Sequence, residues 1–244
     1  MRCNADRLIE ALIAAELMEM QRQEAEKQEK LRQKTEVYVV TVSRDFGSMG
    51  KLVAQLLADT LEVRCCDRYI LQEVARRANV DEALVNVLDE HVSKLNGHWW
   101  QRFLQKDAFS YEDYYHYLVK TVLSISVKGG VIIGRGANII LGAEKAFRVR
   151  ITGSLDTCAK RVASREDIDI KAAIEMTRAV NSERSEYIKS LYHADINDPS
   201  LYDLVLNSDR YDCTQMVELI LDAMEKAGYK LPDEARKSLS ILAQ

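Results

Sequence analysis

The sequence predicts an α/β protein built on a five-stranded parallel sheet with helices on both faces. Short, dense runs of β-branched and other apolar residues recur at 37–42, 63–66, 131–133, 147–152 and 202–207, and each run is followed by apolar residues at helical spacing or by a helix-start signal. Strands alternating with helices require crossover connections, which make neighbouring strands parallel and cover both faces of the sheet. The glycines and basic residues gather just after these runs: Ser43 to Lys51, Asp67-Arg68, Gly134-Arg135-Gly136 and Gly153-Ser154. In open parallel sheets the ligand site lies beyond the carboxyl ends of the strands, so residues scattered in sequence converge there.

Composition narrows the class. A chain of 244 residues with 47% hydrophobic residues can bury one large α/β core or two small ones. A formal net charge of -4 and a pI near 5.7 argue against bulk attraction to nucleic acid. The five cysteines form no C-x-x-C pair and the four histidines are scattered, which disfavours zinc or a disulfide framework and fits a reducing cytoplasm. Cys65 and Cys66 are neighbours in a strand run, so their side chains should face opposite ways as small buried hydrophobes. No apolar stretch approaches membrane-spanning length and the first residues lack the apolar core of a signal peptide, so no membrane association is expected.

Residues 4–34 contain no glycine or proline and read as one helix, apolar at Leu8, Leu12, Ile13, Leu17 and Met20 and almost wholly polar after Gln21. A face that fades midway suits an appendage, and both a partner or dimer helix and a helix packed back on its own domain fit it. The first strand follows, then the glycine turn, then a helix carrying Leu52, Val53, Leu56, Leu57 and Leu61. After the strand at 63–66, helical segments are expected at 70–78 and 81–90. Residues 91–116 are rich in aromatics and histidine; core or subunit contact is favoured there over base stacking. A helix over 111–128 should stop at Gly129-Gly130. Residues 147–152 alternate apolar residues with Arg148 and Arg150, and helices follow over 155–165 and from 170 into the 190s. The last well-defined helix carries Met216, Leu219, Ile220, Ala223, Met224 and Ala227, with Asp212 and Gln215 as a capping box and Gly228 as the stop. The remainder to Gln244 reads as a polar helical tail. The expected division is therefore an extension at 1–36, a domain at 37–228 and a tail at 229–244.

The turn at 43–51 has the makings of a phosphate site. A buried strand that enters a helix through Gly47, Ser48, Gly50 and Lys51 points several backbone N–H groups at one spot, where the positive end of the helix dipole also lies. The P-loop pattern G-x-x-x-x-G-K-[ST] is not met: Asp45 stands at the first glycine and Leu52 follows Lys51. No G-x-G-x-x-G follows the first strand either, which weakens a dinucleotide-binding reading.

Four motifs taken together resemble the cytidylate kinase-like family: Ser43-Arg-Asp-Phe-Gly-Ser-Met-Gly-Lys, Cys66-Asp-Arg, Ile133-Gly-Arg-Gly-Ala and Asn197-Asp-Pro-Ser-Leu-Tyr-Asp-Leu-Val-Leu-Asn-Ser. The resemblance spans about residues 37–227. It implies a P-loop, nucleoside monophosphate kinase fold with strand order 2-3-1-4-5 and a helical lid. The implied activity moves the ATP γ-phosphoryl group, with Mg²⁺, onto a small acceptor such as the pyrimidine nucleotide CMP. Ser43, Arg44, Gly47, Ser48, Met49, Gly50 and Lys51 would then hold the phosphates. Asp67, Arg68, Gly134 and Arg135 would face the acceptor, while Lys51, Arg135, Arg184 and Lys189 would serve the transfer, the last two from the lid.

Departures from the family pattern carry their own expectations. The family's turn usually reads G-S-G-G; Met49 fills the third place here, and a side chain there crowds the phosphates where the backbone needs positive φ. Leu52 leaves no hydroxyl beside Lys51 for Mg²⁺, with Ser43 or Ser48 as substitutes, and alignment on Gly47-Ser48 leaves Lys51 one residue late. The alternative class is a non-catalytic P-loop module that binds a nucleotide or a partner. The N-terminal helix and the aromatic segment are the candidate surfaces for a homo-oligomer.

Overall fold

In a computed structural model of the chain, the described residues are 37–67, 69–83, 85–86, 110–232, 235 and 239, all within the compact unit Val37–Gln244. The helix expected over 4–34, Arg68, most of the segment at 81–90 and the aromatics at 91–109 lie outside the described residues.

Five parallel strands form one sheet: β1 (Val39–Arg44), β2 (Cys65–Cys66), β3 (Gly130–Ile133), β4 (Phe147–Thr152) and β5 (Leu204–Asn207), in the order β2-β3-β1-β4-β5. The helices are α1 (Gly50–Thr60), α2 (Tyr69–Ala78), α3 (Tyr111–Lys128), α4 (Ala137–Lys145), α5 (Leu155–Glu166), α6 (Ile170–Tyr192) and α7 (Cys213–Lys226), with a 3-10 turn at Pro199–Leu201. The strand order is the one the family resemblance implies. β1 starts and ends two residues later than its apolar run, because Val40 to Arg44 pair with Phe147 to Ile151 of β4 while Val37 is 47% exposed. β5 starts two residues later than its run as well. Tyr202 leaves the ladder and donates its hydroxyl to the Ile196 carbonyl at 2.8 Å.

Period-two alternation sorts the strand residues between two cores. Val40, Val42, Val131, Ile133, Val149 and Ile151 face α1 (Val53, Leu57) and α7 (Met216, Ile220). Val39, Cys66 and Ile132 face α2 (Ile70, Val74), α3 (Leu118, Val122) and α4 (Leu141). Because β1 is covered on both sides, its sequence is a near-continuous apolar run rather than an alternating one. Cys65 packs against the first core and Cys66 lies in the second, as their adjacency predicts. Burial pushes the Cys65 thiol up to about 11, so it is a packed neutral group.

The helix ends follow their capping residues. Ser110 and Asp113 form a capping box that starts α3, which ends at Gly129 with φ 81°. Asp212 and Gln215 do the same for α7. Asp169 accepts from the amides of Lys171 and Ala172 to start α6. α5 and α6 pack on each other through a small cluster of Ala159, Val162 and Ala173 with Phe46 against it, and form the helical lid. The segment after Gly228 is less polar in its contacts than in its composition: Tyr229 and Leu231 pack on the first core and Leu239, 2% exposed, is part of it.

Candidate active site

β1 delivers Ser43 and Arg44 to the carboxyl edge of the sheet, and the chain then turns through Asp45 to Met49 into α1. Gly47 is required here: at φ 83° a Cβ would sit 2.5 Å from the Cys158 carbonyl oxygen. Ser48 is fully buried, and its hydroxyl donates to the carbonyls of Asp45 (2.9 Å) and Ile151 (3.1 Å), so it fastens the loop to β4. Met49 caps α1 in the left-handed region (φ 62°, ψ 5°) without a side-chain hydrogen bond to the helix. The first amides of an α-helix have no partner within it, so the Gly50, Lys51 and Leu52 N–H groups form an anion-binding end.

The sequence reading expects Met49 to crowd the phosphates where the backbone needs positive φ. Its backbone does adopt positive φ, but the side chain turns to the first core and puts Sδ 3.8 Å from Cys213 Sγ, beside α7. The Leu52 side chain points to solvent at 62% exposure.

Beneath the loop lies a group that the sequence reading left open. Arg150 on β4 is 4% exposed, donates to Ser43 Oγ (3.0 Å), Asp45 Oδ1 (2.8 Å) and Asn197 Oδ1 (3.2 Å), and stands 5.9 Å from the Tyr202 ring. A buried guanidinium needs such a set of acceptors. The signal was present in sequence: an arginine in the middle of a central strand is almost never buried unpaired. Arg148, by contrast, makes a two-bond pair with Asp203 and ties β4 to the start of β5.

Ser43, Arg44, Gly134, Arg135 and Arg184 line one cavity of about 380 Å³, closed on the lid side by Val180, Tyr187 and Ile188. The structure thus brings together residues from β1, the β3–α4 turn and α6. Arg184 reaches in from the lid and donates to the Arg44 carbonyl at 2.9 Å. Burial, with the nearby Arg44 charge adding to it, pushes its pKa down to about 9. Arg135 donates to the Asp67 carbonyl oxygen at 3.2 Å and stands 3.7 Å from its carboxylate. Lys51 lies 3.5 Å from the same carboxylate with 74% of its side chain exposed, and it does not line the cavity. Lys189 is exposed, one residue past Ile188 on α6 and outside the cavity lining.

The lid is fixed to the loop and to the β3–α4 turn by residues the sequence reading did not single out. The Phe46 amide donates to Asn181 Oδ1 at 2.7 Å, and its ring lies 5.0 Å from the Arg165 guanidinium and 5.7 Å from that of Arg184. Tyr192 lies against Gly136 and donates to the Arg135 carbonyl at 2.6 Å. On α5, Arg161 donates to the Ser208 carbonyl at 2.7 Å and reaches the Gly47 carbonyl at 3.5 Å. Of the aromatic segment, Tyr114 is fully buried in the second core and its hydroxyl lies 2.9 Å from that of Tyr187.

Among the described residues no group of three or more His, Cys, Asp or Glu side chains could cage a metal. Asp67, 25% exposed, is the carboxylate that both Arg135 and Lys51 approach. Among the described residues no helix is long and apolar enough to cross a membrane.

A parallel sheet in this order, a tight loop leading into a helix with no side-chain cap and a two-helix lid define the P-loop kinase fold of the nucleoside monophosphate kinase type. The chain belongs to the cytidylate kinase-like family, whose profile matches residues 39–210. It is 23% identical over 193 residues to the cytidylate kinase of Methanocaldococcus jannaschii, which covers 77% of this chain and 97% of that one. A shorter stretch of 95 residues is 33% identical to the cytidylate kinase of Methanothrix thermoacetophila, covering 39% of this chain and 54% of the relative. A crystal structure of an uncharacterized protein from Eubacterium ventriosum shares the fold with a TM-score of 0.59 at 23% identity, over 77% of this chain and 98% of the other.

Proposed function

We propose that the chain transfers the γ-phosphoryl group of ATP to a small phosphate-bearing acceptor, a pyrimidine nucleoside monophosphate such as CMP. One observation carries this reading: the guanidinium-bearing Arg44, Arg135 and Arg184, from separate elements, line a single cavity beside the anion-binding end of α1. Phosphoryl transfer asks for positioning and for positive groups around the phosphoryl oxygens, and little else from the protein. The names of the relatives supply the substrate class.

In this reading the loop at 45–50 and the first amides of α1 hold the donor phosphates, and Ser48 and Arg150 keep the loop in shape from beneath. Arg135 faces the acceptor phosphate, oriented by Asp67 and by the bond from Tyr192 to its carbonyl. Asp67 in turn is flanked by Lys51. Arg184 closes the cavity from the lid, and the apolar residues of α6 limit water at the transfer point. The acceptor oxygen forms a bond to the γ-phosphorus while the bond to the β–γ bridging oxygen breaks, and that electron pair leaves with ADP. A phosphate oxygen is already anionic at neutral pH, so no proton has to be removed. Asp67 and the substrate phosphates would hold Mg²⁺, which would supply charge neutralisation on the phosphate oxygens.

The test is ADP formation from MgATP with a panel of nucleoside monophosphates. Turnover with a pyrimidine monophosphate above all others is expected. ADP at background with every acceptor, from a protein that still binds ATP, would favour a non-catalytic nucleotide-binding module.

A further inference from the structure

We infer that Arg44, and not Lys51, is the catalytic cation of this site, with its guanidinium over the phosphoryl group being transferred. The inference rests on the kinase reading above and concerns which side chain does the work that a P-loop lysine does elsewhere.

Lys51 is badly placed for it. As the second residue of α1 it is drawn to Asp67 and keeps 74% of its side chain in solvent. Arg44 takes a different course. It leaves the last position of β1 at the root of the loop, and two glycines make room for it. A Cβ on Gly50, the first residue of α1, would collide with Arg44 Cβ and stand 2.9 Å from its Cγ. A Cβ on Gly134, at the end of β3, would collide with Nη1 and stand 3.4 Å from Cζ. Arg44 therefore runs in a groove of bare backbone from the phosphate loop to the turn that bears Arg135. That course carries the stem over Gly50 and sets the guanidinium beside Gly134 in the lining of the 380 Å³ cavity.

Gly50 gains a meaning from this. Alignment on Gly47-Ser48 puts Gly50 where the P-loop lysine would stand, and a side chain there would occupy the path of Arg44. A guanidinium presents five N–H donors in a planar fork and stays charged, which suits two oxygens of one phosphoryl group better than a point charge does. Among the described residues, Arg44, Arg135, Arg184 and one acidic residue, Glu183, line the cavity, and Arg184 is held to the Arg44 carbonyl. In the transfer, Arg44 moves no proton. It donates hydrogen bonds to the phosphoryl oxygens while the bond to the acceptor oxygen forms and the bond to ADP breaks.

The experiment compares the wild type with Arg44→Ala, Arg44→Lys and Lys51→Ala, reading steady-state turnover and the affinity for MgATP by calorimetry. Arg44→Met, which keeps the stem over Gly50, replaces Arg44→Ala where thermal melting shows that the alanine variant is not folded. Loss of one charged donor at a transferring group costs about 100-fold in kcat, which is the loss expected for Arg44→Ala. Arg44→Lys should recover part of it, and Lys51→Ala should lose less than about tenfold, mostly in KM. A larger loss of kcat in Lys51→Ala than in Arg44→Ala overturns the inference and leaves the kinase reading standing. A wild type that binds MgATP but phosphorylates no acceptor overturns the kinase reading instead.

Discussion

Met49 shows how one side chain can occupy a position usually given to glycine. The left-handed backbone costs a residue with a Cβ about 1 kcal/mol, and a half-buried methionine on the first core returns about as much by packing on Cys213 and its neighbours. The side chain leaves the phosphate side of the loop, so glycine has nothing there to relieve. Met49→Gly should therefore change MgATP affinity less than twofold. It should lower the thermal midpoint by a few degrees, since the lost contact and the extra freedom of glycine in the unfolded chain outweigh the relief of φ. Calorimetric titration and a melting curve check the two halves separately. A tenfold gain in affinity would mean that the methionine does crowd the phosphates. Arg150 makes a complementary point: it neutralises Asp45, an acid set into a loop that is to receive phosphate, from a place where water cannot do so.

At the scale of the element, α6 is held at two places against the parts it covers. Asn181 and Arg184 meet the loop through the Phe46 amide, the Phe46 ring and the Arg44 carbonyl, and Tyr192 meets the β3–α4 turn through Gly136 and the Arg135 carbonyl. A lid tied in this way moves together with the phosphate loop instead of swinging free of it. Each guanidinium–ring contact is worth about 0.5–1 kcal/mol, and the ring's burial adds to that. Phe46→Ala should accordingly raise amide hydrogen exchange in the second half of α6 by about tenfold, the equivalent of about 1.4 kcal/mol of local stability, while β1 amides keep their protection. Equal loosening of β1 would show that Phe46 supports the whole domain and not the lid contact. The sequence announced a long polar helix from 170 into the 190s but could not announce these ties. They join residues 135 positions apart in the case of Phe46 and Asn181, and 140 in the case of Arg44 and Arg184, and contacts across elements leave no period in the sequence.

The whole molecule was legible where local chemistry and burial agree. β4 and α3 have the bounds their patterns predict, because an alternating strand and a capped helix carry both ends in their own residues. β2 shrank to two residues because an edge strand with one partner needs little ladder. The core contacts of the tail were not legible for a physical reason: its composition is polar, and only a few apolar residues touch the core. Those few matter. Leu239 lies in the first core at 2% exposure, the Tyr229 ring meets Phe147 edge-on at 5.9 Å, and Tyr38 donates its hydroxyl to the Lys230 carbonyl at 2.5 Å. Burying one leucine contributes about 2 kcal/mol, and exposing the surface of β1 and β4 that Tyr229 and Leu231 cover adds to the loss. Truncation after Gly228 should therefore cost about 3–5 kcal/mol, a large share of the stability of an ordinary domain, and should lower the denaturant midpoint. Leu239→Ala alone should account for about 2–3 kcal/mol of this through the cavity it leaves. The phosphate site lies at the carboxyl ends of the strands, whereas Tyr38 and Phe147 stand at their amino ends, so MgATP affinity should persist in both variants under conditions where they are folded. A truncated chain as stable as the full one would return residues 229–244 to the status of an appendage.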